Sequence, residues 1–540
     1  VKTPLRWFYR LGVFAVYALC AAPVLAMLLP LLLSPLDSAR DLIDLLSSGR
    51  LWGLWASTCG TALTTALLAT AIGAPLGLLL DQPSFRERAW LRLLLTMPLL
   101  LPPHVLAVAW VDLLGQQGIV NGLADRWGLP PHPFPLYSAA GVAVVQALSI
   151  YPIPLWCLWN AARQIDPALP EAARNLGAGP LARMRLLLPL VLPALISGAL
   201  LVFVLSLLSF SIPSLLQTPV FTVEIFTSFN SFLDQRQAAV TALPLVGTGI
   251  AALVVAMRLH RRSTPASVPS QTRRECARGT AAPWIWLTIA SVALVAIALP
   301  LFALAWRSLP PAALLAAWHT GTGEIGTSLL LATVGATLMI ALALPLAWAT
   351  SPGWAHLILL PSALAWLASG PVFGVGLIQF WNHPGLQGWV YDHFPILVIA
   401  ASGRNFIFAW LGCRLAIAWL PGETTEAARN LGASPWRTFC AIMLPQLRRP
   451  LLAVWACLAI LIMGEVETTV LVAPPGWVPV SLRIFTLMHY GPAAAVSALA
   501  LLQALATAGL LAAAGFLSEK WKFTRPTKAG IIVRVETNSV

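Results

Sequence analysis

Only 10% of the 540 residues are charged, so places where charged and polar side chains recur at fixed spacing are the first candidates for chemistry. The clearest is a pair. Residues 171–180 read EAARNLGAGP and residues 426–435 read EAARNLGASP, 255 positions further on (426 − 171). A Glu and an Arg three residues apart lie on neighbouring turns of a helix and can make charge contacts with a partner, while the alanines between them permit close approach. Gly177 and Gly432 fall where a helix stops with a residue in the left-handed region. In the first copy Asp166 can cap the helix and Pro167 suits its first turn, whereas the second copy has Pro421-Gly422 there. A second short helix is predicted after each glycine, with Pro180 or Pro435 in its first turn, ahead of Leu188–Pro189 or Leu444–Pro445. The first copy runs 12 positions from Gly177 to Pro189 and the second 13 from Gly432 to Pro445, which predicts that the second helix of the first copy is offset. A compact element kept identical while its surroundings diverge reads as a docking device for a twofold partner, not as an inert connector.

The elements that carry this device follow from composition. The chain is 58% hydrophobic with a mean hydropathy of +0.80, against roughly 25% charged residues in soluble domains, which makes it a polytopic membrane protein. About 20 apolar residues cross a bilayer as a helix, and twelve such stretches occur, near 11–33, 51–80, 93–114, 137–162, 189–217, 237–257, 283–305, 324–350, 357–380, 395–418, 450–473 and 493–517. The expected class is all-α, with about 12 transmembrane helices in two parallel six-helix repeats. The first stretch is too long for a signal-peptide core and reads as a retained span. Strands are excluded by the continuous apolar runs, which lack the alternation of a barrel. With both ends placed in the cytoplasm, 25 of the 33 Lys and Arg fall in inside segments and six outside, with Arg404 and Arg414 in the tenth span. The formal charge of +13 is therefore the positive-inside bias, not a nucleic-acid surface.

The organisation is a first half at 1–257 with its loop near 163–188, a linker at 258–282, a second half at 283–517 with its loop near 419–449, and a basic tail at 518–540. The linker, RLHRRSTPASVPSQTRRECARGTAA, is rich in Arg, Ser, Thr and Pro and reads as flexible and cytoplasmic. The duplication extends to Ser57–Leu76 and Thr327–Leu346, which share small-residue texture and a proline near the inner end, Pro75 or Pro345.

Charge inside the membrane normally faces a cavity or a partner. Arg404 lies mid-span, and Glu465 and Glu467 lie in LIMGEVETTV. An Arg404–Glu465 pair lining a path is one reading and a structural ion pair between helices is the other, while Glu467 reads as structural or as already at the outer interface. The outer segment 381–393 holds His383, Tyr391, Asp392 and His393, types that bind ferric iron, but without metal-ligand spacing it reads as a polar loop. No metal site is indicated, and the seven cysteines form no CxxC pair. No P-loop or H-E-x-x-H occurs, so ATP binding by a P-loop and zinc proteolysis are excluded.

Glu-Ala-Ala, a glycine six residues after the Glu, and Leu-Pro about a dozen further on resemble the EAA loop of permeases of bacterial ABC importers, the type I (MetI-like) membrane domain. The resemblance implies that Glu171, Ala172, Gly177 and Glu426, Ala427, Gly432 couple to an ATP-hydrolysing subunit. Ser209–Leu216 (SFSIPSLL) and the series GEVETTVLVAPPG, Arg483-Ile484-Phe485 are similar to fused two-half permeases of the ferric-iron and thiamine importers. The function so implied is a permease whose path lies between the halves, with Arg404, Glu465 and Ser209 as path residues. Its partners would be two copies of an ABC ATPase subunit, an extracytoplasmic binding protein and the lipid bilayer. The chain would not be an enzyme and would hold no cofactor, ATP and Mg being on the ATPase. Its place would be the bacterial cytoplasmic (inner) membrane, with both termini cytoplasmic. Ferric iron is the first expectation for cargo, with thiamine, a phosphonate or another small anion as the alternative. A secondary transporter driven by an ion gradient is the rival from another class, and it has no need of two identical docking loops.

Overall fold

The computed structural model describes residues 3–520 apart from 34–38, 42, 45–46, 83–84, 86–87, 131–134, 167, 264–282 and 421. Among these residues all regular structure is helical. Among the described residues nine helices are long and apolar enough to cross a bilayer, and three bent helix pairs raise the number to twelve, six before the linker and six after it. Helices suit a bilayer because each satisfies its own backbone groups where no water can. Residues 258–263 of the expected linker continue the Gln235–Ser263 helix. The rest of the linker and the tail beyond 520 lie outside the described residues.

The halves repeat element by element. The Gly49–Leu80 helix, with Pro75, matches Pro311–Ala349, with Pro345. Each offers a hydroxyl to a later backbone N–H: Phe221 N donates to Thr58 Oγ1 at 3.0 Å, and Val480 N donates to Ser328 Oγ at 2.9 Å. The third spans correspond most closely. Ala89–Leu100, a two-residue break and Pro103–Leu114 in half one match His356–Leu367, a two-residue break and Gly370–Trp381 in half two, at a constant offset of 267 (356 − 89 and 370 − 103). The chain bends there by 87° and 109°.

Continuous spans are expected at these two places, and the structure breaks both. Leu101 and Pro102 each precede a proline and are extended, with ψ of 137° and 134°, because the proline ring disfavours helical geometry in the residue before it. Ala368 and Ser369 are also extended, with ψ of 109° and 158°, and Pro371 sits in the first turn of the helix that follows. The fourth span of half one also bends, by 44° between Ala139–Ile150 and Pro152–Gln164, whereas its counterpart Pro395–Ala418 is unbroken.

A second departure concerns the loops. The predicted short helix and the fifth span are one helix, Pro180–Leu208, of 29 residues, with Pro189 and Pro193 inside it. In half two the helical run Pro435–Met463 also has 29 residues. Proline is tolerated in a membrane helix because neighbours and local adjustments re-pair the freed carbonyl. The extra residue of the second copy is taken up at Thr438–Met443, which winds as a π-helix, a turn wide enough to hold one more residue. The expected offset of the first copy's second helix is thus absorbed within the second copy.

First spans cross over. The Ala22–Leu33 helix packs on Gly370–Trp381 of half two, and Cys20 Sγ donates to Gly403 O at 3.4 Å. In the other direction the Pro283–Ala293 helix lies on half one, where Trp286 meets Phe85 at a centroid distance of 4.9 Å and the Arg88 guanidinium stacks 4.7 Å from its ring. Each half is clasped by the other, and one buried apolar core joins residues of both.

Candidate functional site

The repeated loops fold alike. In the first, Ala168 N donates to Asp166 Oδ1 at 2.9 Å, and the helix runs Ala168–Asn175 with no residue buried. It ends where Ala178 N reaches back to Ala173 O at 2.9 Å and Gly177 takes a φ of +78°. In the second, the helix runs Gly422–Asn430, Ala433 N reaches Ala428 O at 3.0 Å and Gly432 has a φ of +79°. This is the six-to-one closure of a helix that turns through a left-handed glycine. Asp166 starts the first loop; Pro421 of the second lies outside the described residues. Glu171, Ala172, Glu426 and Ala427 are exposed on the two short helices. Leu176 and Leu431, at the turns, are 88% and 89% exposed. The sequence reading did not single them out, although they are part of the identity, and an exposed leucine repeated at a rigid turn is an apolar contact that both loops offer.

The second site lies between the halves. Arg404, on the Pro395–Ala418 helix, places Nη1 3.4 Å from Glu465 Oε1 and 3.5 Å from Thr468 Oγ1, and its Nη2 donates to Glu467 Oε2. Glu465 Oε1 also accepts from Thr468 N at 2.7 Å. Glu467 Oε1 accepts from Phe210 N, in half one, at 2.9 Å. The three charged side chains are 11%, 8% and 14% exposed, so each charge is balanced mainly by the others and by backbone donors. Gly370, at the break of the ninth span, abuts this cluster; a Cβ there would strike Glu467 Cβ and Arg404 Nη1.

A cavity of about 160 Å³ adjoins the cluster, lined by Gln146, Ser149, Ser206 and Ser209 from half one and by Trp366, Arg404 and Glu467 from half two. Of the three path residues expected from sequence, Arg404 and Ser209 border this cavity. Glu465 is not among its lining residues and holds Arg404 from behind. Glu467, read from sequence as structural or at the outer interface, borders it and bridges the halves. Gln146, Ser149 and Ser206 were not singled out, because neutral polar side chains carry little signal in a span. The repeat does point to two of the serines. Ser149 stands 255 positions before Arg404, the separation of the two loops, and Ser209 stands 256 before Glu465, the separation of Pro189 and Pro445. Shared hydrogen bonds place Ser209 and Glu465 at equivalent points: Thr222 Oγ1 donates to Ser209 O and Ser481 Oγ to Glu465 O, both at 2.8 Å.

The outer segment gives little support to metal binding. His393 Nδ1 pairs with Trp389 O at 2.7 Å, and burial followed by the Asp392 carboxylate pushes the Tyr391 phenol above its ordinary range, which opposes the phenolate that ferric iron needs. Among the described residues no group of three His, Cys, Asp or Glu could hold a metal ion.

Residues 73–266 match the family of binding-protein-dependent transport system inner membrane components. Over 447 residues, 79% of this chain and 83% of the relative, the sequence is 22% identical to the Fe(3+)-transport system permease protein FbpB 2 of Haemophilus influenzae. It is 30% identical over 152 residues to the ferric transport system permease protein FbpB of Actinobacillus pleuropneumoniae, covering 28% of this chain and 22% of that one. It is 32% identical over 148 residues to the molybdenum transport system permease protein ModB of Mycobacterium tuberculosis, covering 27% and 54%.

Proposed function

We propose that this chain, which belongs to the binding-protein-dependent inner-membrane permease family and is a permease of the ABC-importer type, supplies both halves of the translocation path by itself. The observation that carries the reading is the pair of loops. Two exposed helices end in the same left-handed glycine turn, each after the fourth span of its half. Two copies of an ATPase subunit would grip them through Leu176 and Leu431 at the turns and through Glu171 and Glu426 alongside. An extracytoplasmic binding protein would deliver cargo to the opposite side, and both termini would be cytoplasmic. Closure of the ATPase pair would draw the loops together. Because the second helix of each loop continues without interruption into the fifth span of its half, that motion would reach Ser209 at the cavity wall and Glu465 behind Arg404.

Ferric iron is the cargo this reading favours. At the cavity wall one carboxylate, Glu467, stands against one guanidinium, Arg404, so the lining does not by itself select the charge of the cargo. Similarity to one ferric permease over 79% of the chain supports iron. The second reading, a small oxyanion, draws on the similarity of a shorter stretch to the molybdenum permease. The test of function is energetic and chemical together. The purified chain should hydrolyse no ATP alone, and the vesicle-reconstituted complex with ATPase and binding protein should accumulate ferric iron at the expense of ATP. Robust hydrolysis by the isolated chain, or uptake driven by an ion gradient without ATP, would contradict the reading.

A further inference from the structure

The side of the cavity built by half one carries hydrogen-bonding capacity that the protein leaves unspent. Gln146 lies on the Ala139–Ile150 helix and is 3% exposed. Its Oε1 accepts from Thr65 Oγ1 at 3.1 Å and from Ser206 Oγ at 2.5 Å. As the amide stands, Oε1 takes both hydroxyls, and Nε2, a donor of two protons, has no partner. Buried donors of this kind are seldom left unpaired in a native protein without a use. Ser149, three residues along the same helix, and Ser209, which caps the end of Pro180–Leu208, border the same space.

Half two differs. Its contribution to the cavity wall is the charged pair Arg404–Glu467 together with Trp366. The described residues contain no cluster that could replace the ligand shell of a hard cation, and such a cation is stable only with several oxygen ligands. A ferric ion crossing here keeps ligands of its own, and those ligands present oxygen atoms to half one.

We infer that Gln146 Nε2, together with the Ser149 and Ser209 hydroxyls, forms a subsite for the acceptor oxygens of the passing cargo, whether these belong to the ligand shell of a small ferric complex or to a free oxyanion. The inference rests on the permease reading and adds to it a recognition surface on the uncharged half.

The test uses the full complex of this chain, ATPase and binding protein in lipid vesicles, with ferric citrate and molybdate as probes. Gln146→Glu keeps an acceptor for Thr65 and Ser206 but turns the free donor into an acceptor, and should lower uptake of whichever probe the wild type moves by about tenfold or more. Ser149→Ala disturbs neither of those hydroxyls and should lower it by roughly threefold, which keeps the test alive should the Gln146 variant assemble poorly. Wild-type uptake of iron alone assigns the oxygens to a metal's ligand shell, and uptake of molybdate alone assigns them to a free oxyanion. Wild-type rates in both variants would overturn the subsite and leave the permease reading standing. Absence of uptake of either probe by the wild-type complex would overturn the subsite together with the iron and oxyanion cargo readings.

Discussion

Half one and half two face each other across the cavity with equivalent backbones and opposite chemistry. Where half two has Arg404 and Glu465, half one has Ser149 and Ser209, and by the same offset of 256 the counterpart of Glu467 is Ser211. The serines need few partners. The charged set needs all of its partners at once, since a buried ion pair gains little net stability while a buried charge stripped of its partner is strongly destabilising. Half one even supplies one of those partners, Phe210 N. A fused chain can be asymmetric in this way because each half has its own coding sequence. A pair of identical subunits would have to place charge, or serine, on both sides.

The largest expected effect breaks that asymmetry. Arg404→Ala leaves two buried carboxylates facing each other and should cost about 3–5 kcal/mol, read as loss of folded protein from the membrane. The triple change Arg404→Ser, Glu465→Ser, Glu467→Ser copies half one into half two and removes all the buried charge together. It should restore much of the folded protein while uptake stays abolished. A triple variant less stable than the single one would show that the charges hold the fold, not the path.

Next come the loops, where the halves are alike. Gly177 and Gly432 both have positive φ with no neighbouring atom within 4 Å of a built Cβ, so the penalty for a side chain is conformational and equal in the two. Gly177→Val and Gly432→Val should each cost about 1–2 kcal/mol locally and abolish uptake with the chain still inserted, as measured by ATPase co-purification. Unequal effects would show that the ATPase distinguishes the loops despite their matched geometry.

These two sites differed in how far they could be read from sequence. The loops were legible because their geometry is local: a repeated glycine after a short amphipathic run specifies a left-handed stop without reference to the rest of the fold. The twelve apolar stretches were legible because a bilayer imposes length and composition. The breaks in the third and ninth spans were hidden inside apolar runs, although Pro102-Pro103 and Gly370-Pro371 carried the signal. The role of Glu467 was not legible, because its partners Arg404 and Phe210 are 63 and 257 residues away and only the packing of one half on the other brings them together. Gln146 was missed because a neutral polar side chain carries little signal within a span.

A smaller effect is expected at the broken spans. Gly370 abuts the ion cluster, whereas its counterpart Pro103 carries a side chain at the cavity wall. Gly370→Ala should therefore disturb Arg404 and Glu467, at a cost of about 1–3 kcal/mol and partial loss of uptake. Pro103→Ala should be milder on uptake. Equal losses would remove the special tie between the ninth-span break and the charges.

The smallest effect tests a second exchange between the halves. Arg50 pairs with Glu224 at 2.5 Å in half one, whereas in half two the signs are reversed and Glu324 lies 3.9 Å from Arg483. Arg50 is 79% exposed at its side chain, so the pair is worth at most about 1 kcal/mol. Arg50→Glu should lower the melting temperature slightly, and adding Glu224→Arg should restore it.

The central claim is that one chain provides both coupling loops. Native mass spectrometry of the complex purified from membranes measures this directly. The account predicts one copy of this chain with two copies of the ATPase, falling to one ATPase in either Gly177→Val or Gly432→Val and to none in the double variant. Two copies of this chain for every two ATPase subunits, or no loss of ATPase from the double variant, would contradict it.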